Sequence, residues 1–329
     1  MLIRILIIYT SCILFEANDY NDRTLNDHVN SFFYDDNFSS HRNSNFSKLS
    51  TMIEQDESLI ANGATLQLIS SQFKFTEGPA VDKVGNVFFT DQPNDKIWKY
   101  GLDGKLSVFL EKSGRSNGLY FDHDGNLLAC ADENNQLWCI SPKKKIRVLL
   151  KDYGGQRLNG PNDLWVDTKG GIYFTDPYYK RPYWEGEGTH IKEQNVYYLP
   201  KGKNEPVVVD SNIVKPNGII GTPDGKYLYV ADIGDNKTYK YEIDDNGKLI
   251  NRQLFVSKGS DGMTIDNRGN IYLTGDGVTV FNSKGNQIAH IPVPAKWTAN
   301  ICFGGKERNK LFITASESVF TLDMVVKGG

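Results

Sequence analysis

The sequence predicts an all-β fold made of six repeated units, and three observations support this. Six times, a polar residue precedes a short apolar stretch, a turn and a second apolar stretch. The six units begin 39 to 55 residues apart, which is the spacing of propeller blades. Their apolar stretches are rich in Val, Ile, Tyr, Phe and Thr, without sustained helical periodicity. We therefore expect a six-bladed β-propeller.

Each unit is expected to form a four-stranded antiparallel blade. The turn between the first two strands usually carries a Gly, as in Val84-Gly85-Asn86 and Asp224-Gly225-Lys226. Third and fourth strands follow in five units, for example KIWKY and then LSVFL. The sixth unit ends after SVFTLDM without a fourth strand, but residues 64–70 (ATLQLIS) precede the first unit. Pairing this N-terminal strand into the last blade would close the ring and cover its open edge.

The first sixty residues differ in composition from the rest of the chain. Residues 2–15 (LIRILIIYTSCILF) carry one early positive charge, Arg4, and then an apolar run too short to span a bilayer with any margin. We predict a signal peptide over residues 1–17, and hence a secreted, periplasmic or otherwise extracytoplasmic protein with no membrane span. Residues 18–60, rich in Asn, Asp and Ser, are predicted to be a disordered tether. The propeller then occupies residues 61–329.

Charge and cysteine usage narrow the function classes. The net charge is −3 and no basic stripe is visible, which argues against a nucleic-acid partner. We expect a small-molecule ligand and, by default, a monomer. Cys130 and Cys139 flank a probable turn and would face each other across a hairpin if they paired, but buried unpaired thiols are the favoured interpretation. No Cys or His spacing suggests zinc.

The polar residues that begin the six units should face the propeller axis at one end. We call these the axial residues: Glu77, Asn117, Asn162, Asn217, Asp261 and Asn300. Their two carboxylates and four amides make an oxygen-rich pocket of charge near −2, which suits a hard divalent cation, above all Ca²⁺. The ligands would be Glu77, Asp261 and the carboxamides of Asn162 and Asn217. The alternative is that these residues only bridge backbone groups at the starts of strands.

Strand polarity places the longest insertion on the same face as the axial residues. The insertion is 177–193 (PYYKRPYWEGEGTHIKE), and it follows Asp176, the end of a second strand. We expect its aromatic residues to roof the pocket, since long loops in tight folds are usually functional. These residues are Tyr178, Tyr179, Tyr183, Trp184 and His190. The alternative is a loop that packs against a neighbouring blade.

From residue 73 to residue 322 the chain resembles the regucalcin (senescence marker protein)/gluconolactonase family of six-bladed propellers. The resemblance rests on six short motifs: Glu77-Gly78-Pro79, Ser116-Asn117-Gly118, Pro161-Asn162-Asp163, Phe174-Thr175-Asp176-Pro177, Pro216-Asn217-Gly218 and Ser260-Asp261-Gly262. It implies a divalent-metal-dependent hydrolase of sugar-acid lactones. It also implies that Glu77, Asn217 and Asp261 bind the metal, that Asn162 binds metal, its water or substrate, and that Asp261 is the catalytic base.

One position departs from the regucalcin pattern. Regucalcin-like members carry an arginine two residues before the position of Asn162, where this chain has Gly160. The LNGPND context looks more like the bacterial gluconolactonase branch, and Arg157 lies close enough in sequence to substitute for the arginine.

Further site residues are assigned from the same face of the propeller. We predict that substrate contacts come from five residues: Asn162, Asn117, Asp176, Tyr178 and Trp184. Asp163 and Asp176 are secondary candidates for the base. The favoured alternative for both is a hydrogen bond between neighbouring blades.

Two other functions compete with lactone hydrolysis. A calcium-dependent phosphotriesterase resembling diisopropyl-fluorophosphatase would use a similar ring of ligands, since a cation polarises a phosphoryl oxygen as it does a carbonyl. A non-catalytic propeller that binds a protein or glycan is the alternative outside enzymes. Such a binding module need not keep two axial carboxylates among matched amides. A Ser-His-Asp hydrolase is unsupported, because no histidine occupies an axial position.

Overall fold

A computed structural model of the chain describes residues 58–184 and 191–329. The proposed signal peptide, most of the proposed tether and His190 lie outside the described residues, so these assignments and the extracytoplasmic location remain predictions. The described residues form 24 β-strands and two 3₁₀ turns, Gln92–Asn94 and Asp132–Asn134. No helix among them is long and apolar enough to cross a membrane.

The strands form six four-stranded antiparallel sheets, and the predicted six-bladed propeller is confirmed. Blade 1 contains β2 (Thr76–Val81), β3 (Val87–Asp91), β4 (Lys96–Tyr100) and β5 (Leu106–Glu111). Blade 2 contains β6 (Leu119–Phe121), β7 (Leu127–Ala131), β8 (Gln136–Ile140) and β9 (Ile146–Leu150). Blade 3 contains β10 (Leu164–Val166), β11 (Ile172–Asp176), β12 (Asn195–Leu199) and β13 (Val207–Asp210).

The remaining three blades follow the same order. Blade 4 contains β14 (Pro216–Gly221), β15 (Tyr227–Asp232), β16 (Lys237–Ile243) and β17 (Leu249–Val256). Blade 5 contains β18 (Met263–Ile265), β19 (Ile271–Gly275), β20 (Gly277–Phe281) and β21 (Gln287–Ile291). Blade 6 contains β22 (Thr298–Gly304), β23 (Lys310–Ala315), β24 (Ser318–Asp323) and β1 (Gln67–Ser70).

The sixth blade is completed by the N-terminal strand, as predicted. β1 pairs antiparallel with β24, with Gln67 opposite Thr321. Just before β1, the N–H of Val325 donates to the carbonyl of Leu59 across 2.9 Å. Leu59 itself is buried in the core of this blade. The N-terminal segment is therefore held in blade 6 by backbone hydrogen bonds and by apolar packing. It covers the edge of β24, which would otherwise be open.

The inner strands are buried and the outer strands are not. All five residues of β3 (VFFTD) and of β11 (IYFTD) are buried, because neighbouring blades cover both faces of each second strand. The outer strand β17 is largely exposed, with Ile250 at 43% and Leu254 at 52%. The most buried part of the fold is therefore next to the axis, where the axial residues lie.

The three described cysteines are free and buried, so the favoured interpretation of unpaired thiols is confirmed. In the β7–β8 pair, Cys139 lies opposite Leu128 and Cys130 lies opposite Leu137. The two thiols are therefore offset by two residues in the register, a diagonal relationship in which side chains are too far apart for a disulfide.

Candidate functional site

Glycines after the axial residues let the blades approach closely at the axis. A Cβ added to Gly78 would lie 2.1 Å from the carbonyl oxygen of Asn117 in the next blade. A Cβ on Gly262 would lie 2.0 Å from the side chain of Asn300. No side chain fits in either place, so glycine is required if neighbouring axial residues are to meet. The repeated pairing of a polar axial residue with Gly is thus a packing requirement of the pocket.

Threonines of the second strands fix the axial backbone. The hydroxyl of Thr90 donates to the carbonyl of Asn117 in the next blade at 3.1 Å, and Thr175 donates to Asn217 at 2.8 Å. Each bond ties one blade to the start of the next. The axial backbone is therefore tied between blades 1 and 2 and between blades 3 and 4.

Three carboxyl groups share the pocket. Burial raises the pKa of Glu77 well above its usual range, and the negative charges of Asp261 and Asp163 raise it further. Burial likewise raises the pKa of Asp261 to about 6 and that of Asp163 to about 7. The guanidinium of Arg181 offsets only part of this charge at Asp261. A divalent cation would relieve the repulsion, because a nearby positive charge favours the ionised carboxylates.

The amide of Asn217 has a buried oxygen that a cation would satisfy. Asn217 is 2% exposed, and its Nδ2 donates to the hydroxyl of Tyr179 across 3.0 Å. Its Oδ1 is buried and has no hydrogen-bond partner among the described residues. Leaving such an oxygen unsatisfied costs about 1–3 kcal/mol. A cation held by this oxygen would remove the cost.

The donor set as a whole fits a hard cation. The buried carboxamides of Asn117 and Asn162 also make no side-chain hydrogen bond to the described residues, so their oxygens are available. Within residues 58–184 and 191–329, no cluster of three His, Cys, Asp or Glu side chains has metal-holding geometry. A complete coordination sphere would therefore need the amide oxygens beside the two axial carboxylates, which is a combination that Ca²⁺ accepts.

Asn300 differs from the other axial amides because both ends of its carboxamide have partners within the protein. Its Oδ1 accepts the N–H of Ile301 at 2.8 Å, and its Nδ2 lies 3.5 Å from Oδ2 of Asp163. The other oxygen of Asp163 accepts the N–H of Leu164 at 2.9 Å. Asp163 thus links blade 3 to blade 6 across the pocket. This bond joins opposite blades, whereas the favoured alternative was a bond between neighbouring blades, and the role of Asp163 as a base remains a prediction.

The insertion after β11 reaches the pocket through Tyr179. Burial raises the pKa of Tyr179 to about 12, with further contributions from the negative charges of Asp261 and Glu77. Tyr178 makes its contact at the base of the insertion, where its N–H donates to Oε1 of Gln194 at 2.8 Å. Tyr179 is therefore a roofing residue that senses the charges of Asp261 and Glu77. The substrate contacts predicted from the sequence were instead Tyr178 and Trp184.

The roof is anchored on a buried carboxylate of blade 2. Oδ2 of Asp132 accepts hydrogen bonds from Nε of Arg181 at 2.8 Å, from the hydroxyl of Tyr183, and from Nε2 of Gln92 at 3.2 Å. The indole N–H of Trp184 donates to the carbonyl of Asp132 at 2.9 Å. The insertion thus spans from blade 3 to blade 2, and it meets blade 4 through Tyr179. These bonds hold residues 178–184 over the pocket.

Trp184 explains the absence of an arginine at position 160. Gly160 has φ +142°, and a Cβ built there would lie 2.9 Å from the indole ring of Trp184 and 2.9 Å from Asp132. An arginine side chain would collide with both. The guanidinium of Arg157 lies 5.8 Å from the Trp184 ring centroid, which places a cation beside this part of the roof.

Asp176 is fully buried beneath the insertion. Its two carboxylate oxygens accept the N–H groups of Asn159 at 2.9 Å and of Gly160 at 2.8 Å. Burial raises its pKa to about 7. The contacts brace the backbone that leads to Asn162, and the predicted contact of Asp176 with substrate remains a prediction.

Trp297 belongs to the site although no sequence motif contains it. Its indole N–H donates to Oδ2 of Asp261 at 2.6 Å. Trp297 lies in the loop between β21 and β22, outside every repeated motif. The position of that loop, on the same face as the axial residues, was the one signal in the sequence that favoured it.

A known protein family matches most of the propeller. The family model described as the SMP-30/Gluconolactonase/LRE-like region matches residues 75–317. The chain belongs to this family. Gluconolactonase from Zymomonas mobilis is 29% identical over 310 residues, which cover 84% of this chain and 86% of that protein. Lactonase drp35 from Staphylococcus haemolyticus is 26% identical over 254 residues, which cover 69% of this chain and 72% of that protein.

Solved structures of the SMP-30/gluconolactonase type share the fold. The gluconolactonase XC5397 from Xanthomonas campestris superposes with a TM-score of 0.76 at 27% identity, covering 82% of this chain and 92% of that one. Regucalcin from Agrobacterium tumefaciens, a calcium-binding protein, gives a TM-score of 0.69 at 21% identity, covering 81% of this chain and 96% of that one. The second likeness shows the fold alone. The resemblance predicted from the short motifs is confirmed.

Proposed function

We propose that this protein hydrolyses lactones of sugar acids and that it does so with a divalent cation, Ca²⁺ being the best fit. The unpartnered buried oxygen of Asn217 beside Glu77 and Asp261 is the observation that carries the metal. The gluconolactonase of Zymomonas mobilis, which aligns over most of both chains, supports the reaction. Membership of the family supports the same class of substrate.

The residues of the pocket divide the chemistry between them. Glu77, Asn217, Asp261 and Asn162 would hold the cation, which when bound supplies polarisation of the lactone carbonyl. Asp261 is the proposed base: its Oδ2 is held by Trp297, and its carboxylate accepts the proton of the attacking water. The water oxygen bonds to the carbonyl carbon, the ring ester bond breaks, and the ring oxygen leaves with a proton. The product is the open hydroxy acid.

The roof completes the substrate pocket in this proposal. Tyr178 and Trp184, together with Asn117, contact the sugar ring, and the bonds to Asp132 keep the roof in place. A closed, water-poor pocket strengthens each electrostatic contact with the substrate.

Direct assay tests the proposal. Purified protein is incubated with glucono-1,5-lactone and acid release is followed against the spontaneous rate, with EDTA and with calcium added back. We expect hydrolysis that EDTA abolishes and calcium restores. Asp261→Asn should be inactive, whereas Asp245→Asn, a matched change at an exposed turn of blade 4, should behave as wild type.

Three outcomes would contradict the proposal in different ways. Hydrolysis that is insensitive to chelator would show that the reaction does not depend on a metal. Calcium-dependent cleavage of a phosphotriester, with lactones left intact, would move the protein to the phosphotriesterase class. Calcium binding without either activity would favour a binding propeller.

A further inference from the structure

The hydroxyl of Tyr179 has a free hydrogen in the pocket. A phenol has one O–H donor and accepts through its oxygen lone pairs. The oxygen of Tyr179 accepts from Nδ2 of Asn217 at 3.0 Å, and its own hydrogen has no acceptor among the described residues. The negative charges of Asp261 and Glu77 act on this hydroxyl, so it lies beside the proposed reaction centre. It is therefore a neutral donor whose hydrogen is available to a substrate.

The ring that carries this hydroxyl lies near two cations. Nζ of Lys215 lies 4.4 Å from the ring centroid, and the guanidinium of Arg181 lies 5.5 Å from it. Arg181 is fixed in turn by its ion pair with Asp132. Cations near an aromatic face are attracted by its electron density, and this attraction helps to hold the ring in place. The tyrosine is thus preorganised by three contacts, one to its hydroxyl and two to its ring.

We propose that Tyr179 is a catalytic residue, whose hydroxyl donates a hydrogen bond to the substrate oxygen that gains negative charge as the lactone ester is hydrolysed. This assignment rests on the lactonase function proposed above. Tyr179 keeps its proton throughout: the water proton goes to the base and then to the ring oxygen, as that oxygen leaves the carbonyl carbon. The hydroxyl lowers the barrier because a donor fixed in advance need not reorganise when charge develops.

Tyr179→Phe tests the assignment, since it keeps the ring and both cation contacts and removes only the hydroxyl. We expect kcat for glucono-1,5-lactone to fall by roughly 10²–10³-fold, the loss seen when one such donor is removed. KM and calcium affinity, the latter by titration calorimetry, should stay within a few fold. The matched control is Tyr239→Phe, whose ring lies under Arg252 at 3.8 Å on the third strand of blade 4, and it should leave the kinetics unchanged.

The main competing role is that Tyr179 only orients Asn217. In that case Tyr179→Phe would weaken calcium binding by about 10–100-fold, and saturating calcium would restore kcat. That result would overturn the assignment, as would full kcat in the variant. An active wild type with an unimpaired variant overturns the role of Tyr179 alone. A wild type that binds calcium but hydrolyses no lactone overturns the proposed function and this assignment together.

Discussion

Trp297 donates its indole N–H to Oδ2 of Asp261 across 2.6 Å, and so a loop that precedes blade 6 orients the axial carboxylate of blade 5. The bond occupies one carboxylate oxygen and fixes the plane of the group. The remaining lone pairs of the carboxylate are left for the cation and for the proton of the attacking water. The orientation of Asp261 is therefore set before any ligand binds.

Removing this bond should weaken the metal centre. In Trp297→Phe the carboxylate of Asp261 loses its orienting donor, and we expect calcium affinity or activity to fall by about 10–100-fold. Calorimetry and lactone kinetics would measure both. Trp138→Phe is the matched control, because its indole donates to Gln136 at 2.8 Å within blade 2. Equal behaviour of the two variants would argue against the orienting role.

Loss of either axial carboxylate should abolish metal-dependent activity. We expect Asp261→Ala and Glu77→Ala to remain β-rich and folded by circular dichroism, since neither side chain packs in an apolar core. Neither should bind calcium or hydrolyse lactone. Asn117→Ala should retain more activity, because it removes no charge. Full activity of either carboxylate variant in calcium-replenished buffer would show that the assigned centre is wrong.

The anchor of the roof should control substrate binding more than metal binding. Asp132→Asn removes the charge that holds Arg181 and weakens the contact with Tyr183, so the roof loses its position over the pocket. We expect KM to rise about ten- to hundred-fold, the effect of one or two aromatic contacts, with calcium affinity little changed. Asp235→Asn, which breaks an exposed ion pair with Lys237, is the control. An unchanged KM would mean that the roof does not contact substrate.

The repeats of the sequence predicted the architecture well because each blade is encoded locally. Alternating apolar strands, Gly turns and polar starts recur in every unit, and the closing strand follows from the missing fourth strand of the last unit. The axial pocket followed from the same periodicity. The contacts of Tyr179 and Trp297 did not, because both residues lie in loops without periodicity. Which loop residue meets Asp261 or Asn217 depends on chain paths that no local pattern encodes.

Asp176 should make stability depend on pH in a defined direction. Burial raises its pKa from 3.8 to about 7, so between these values the folded state binds a proton that the unfolded chain has released. The free energy of unfolding should therefore decrease as pH rises through this window, by up to about 1.4 kcal/mol per pH unit from this group, and level off above it.

The effect of Asp176 is measured by comparing the free energy of unfolding of the wild type with that of a variant. Urea unfolding of the wild type and of Asp176→Asn at pH 5, 6, 7 and 8 removes the contribution of other buried acids. The wild type should lose more stability across the series than the variant does. Parallel curves would show that Asp176 stays ionised in the folded protein, stabilised by the N–H groups of Asn159 and Gly160.

Closure by β1 predicts how N-terminal truncations behave. Removal of residues 1–57 leaves Leu59 and β1 in place and should give a soluble, active protein. Removal of residues 1–72 takes away the strand that pairs with β24 and exposes its edge, so we expect aggregation. Light scattering and lactone assay distinguish the two forms. A well-behaved, active product of the longer deletion would contradict the importance of this closure.

The pairing of Gln67 with Thr321 also means that folding depends on the order in which the strands are synthesised. Contacts between residues far apart in sequence form late, because the intervening chain must first be ordered. Five blades can assemble as the chain lengthens, but the first strand must wait until β24 has been made. Until then a nascent chain exposes an unpaired strand at each end of an incomplete ring, the form most prone to join another chain. Dependence on chaperones should therefore be greatest for chains that still lack β24, and should fall once that strand has been released.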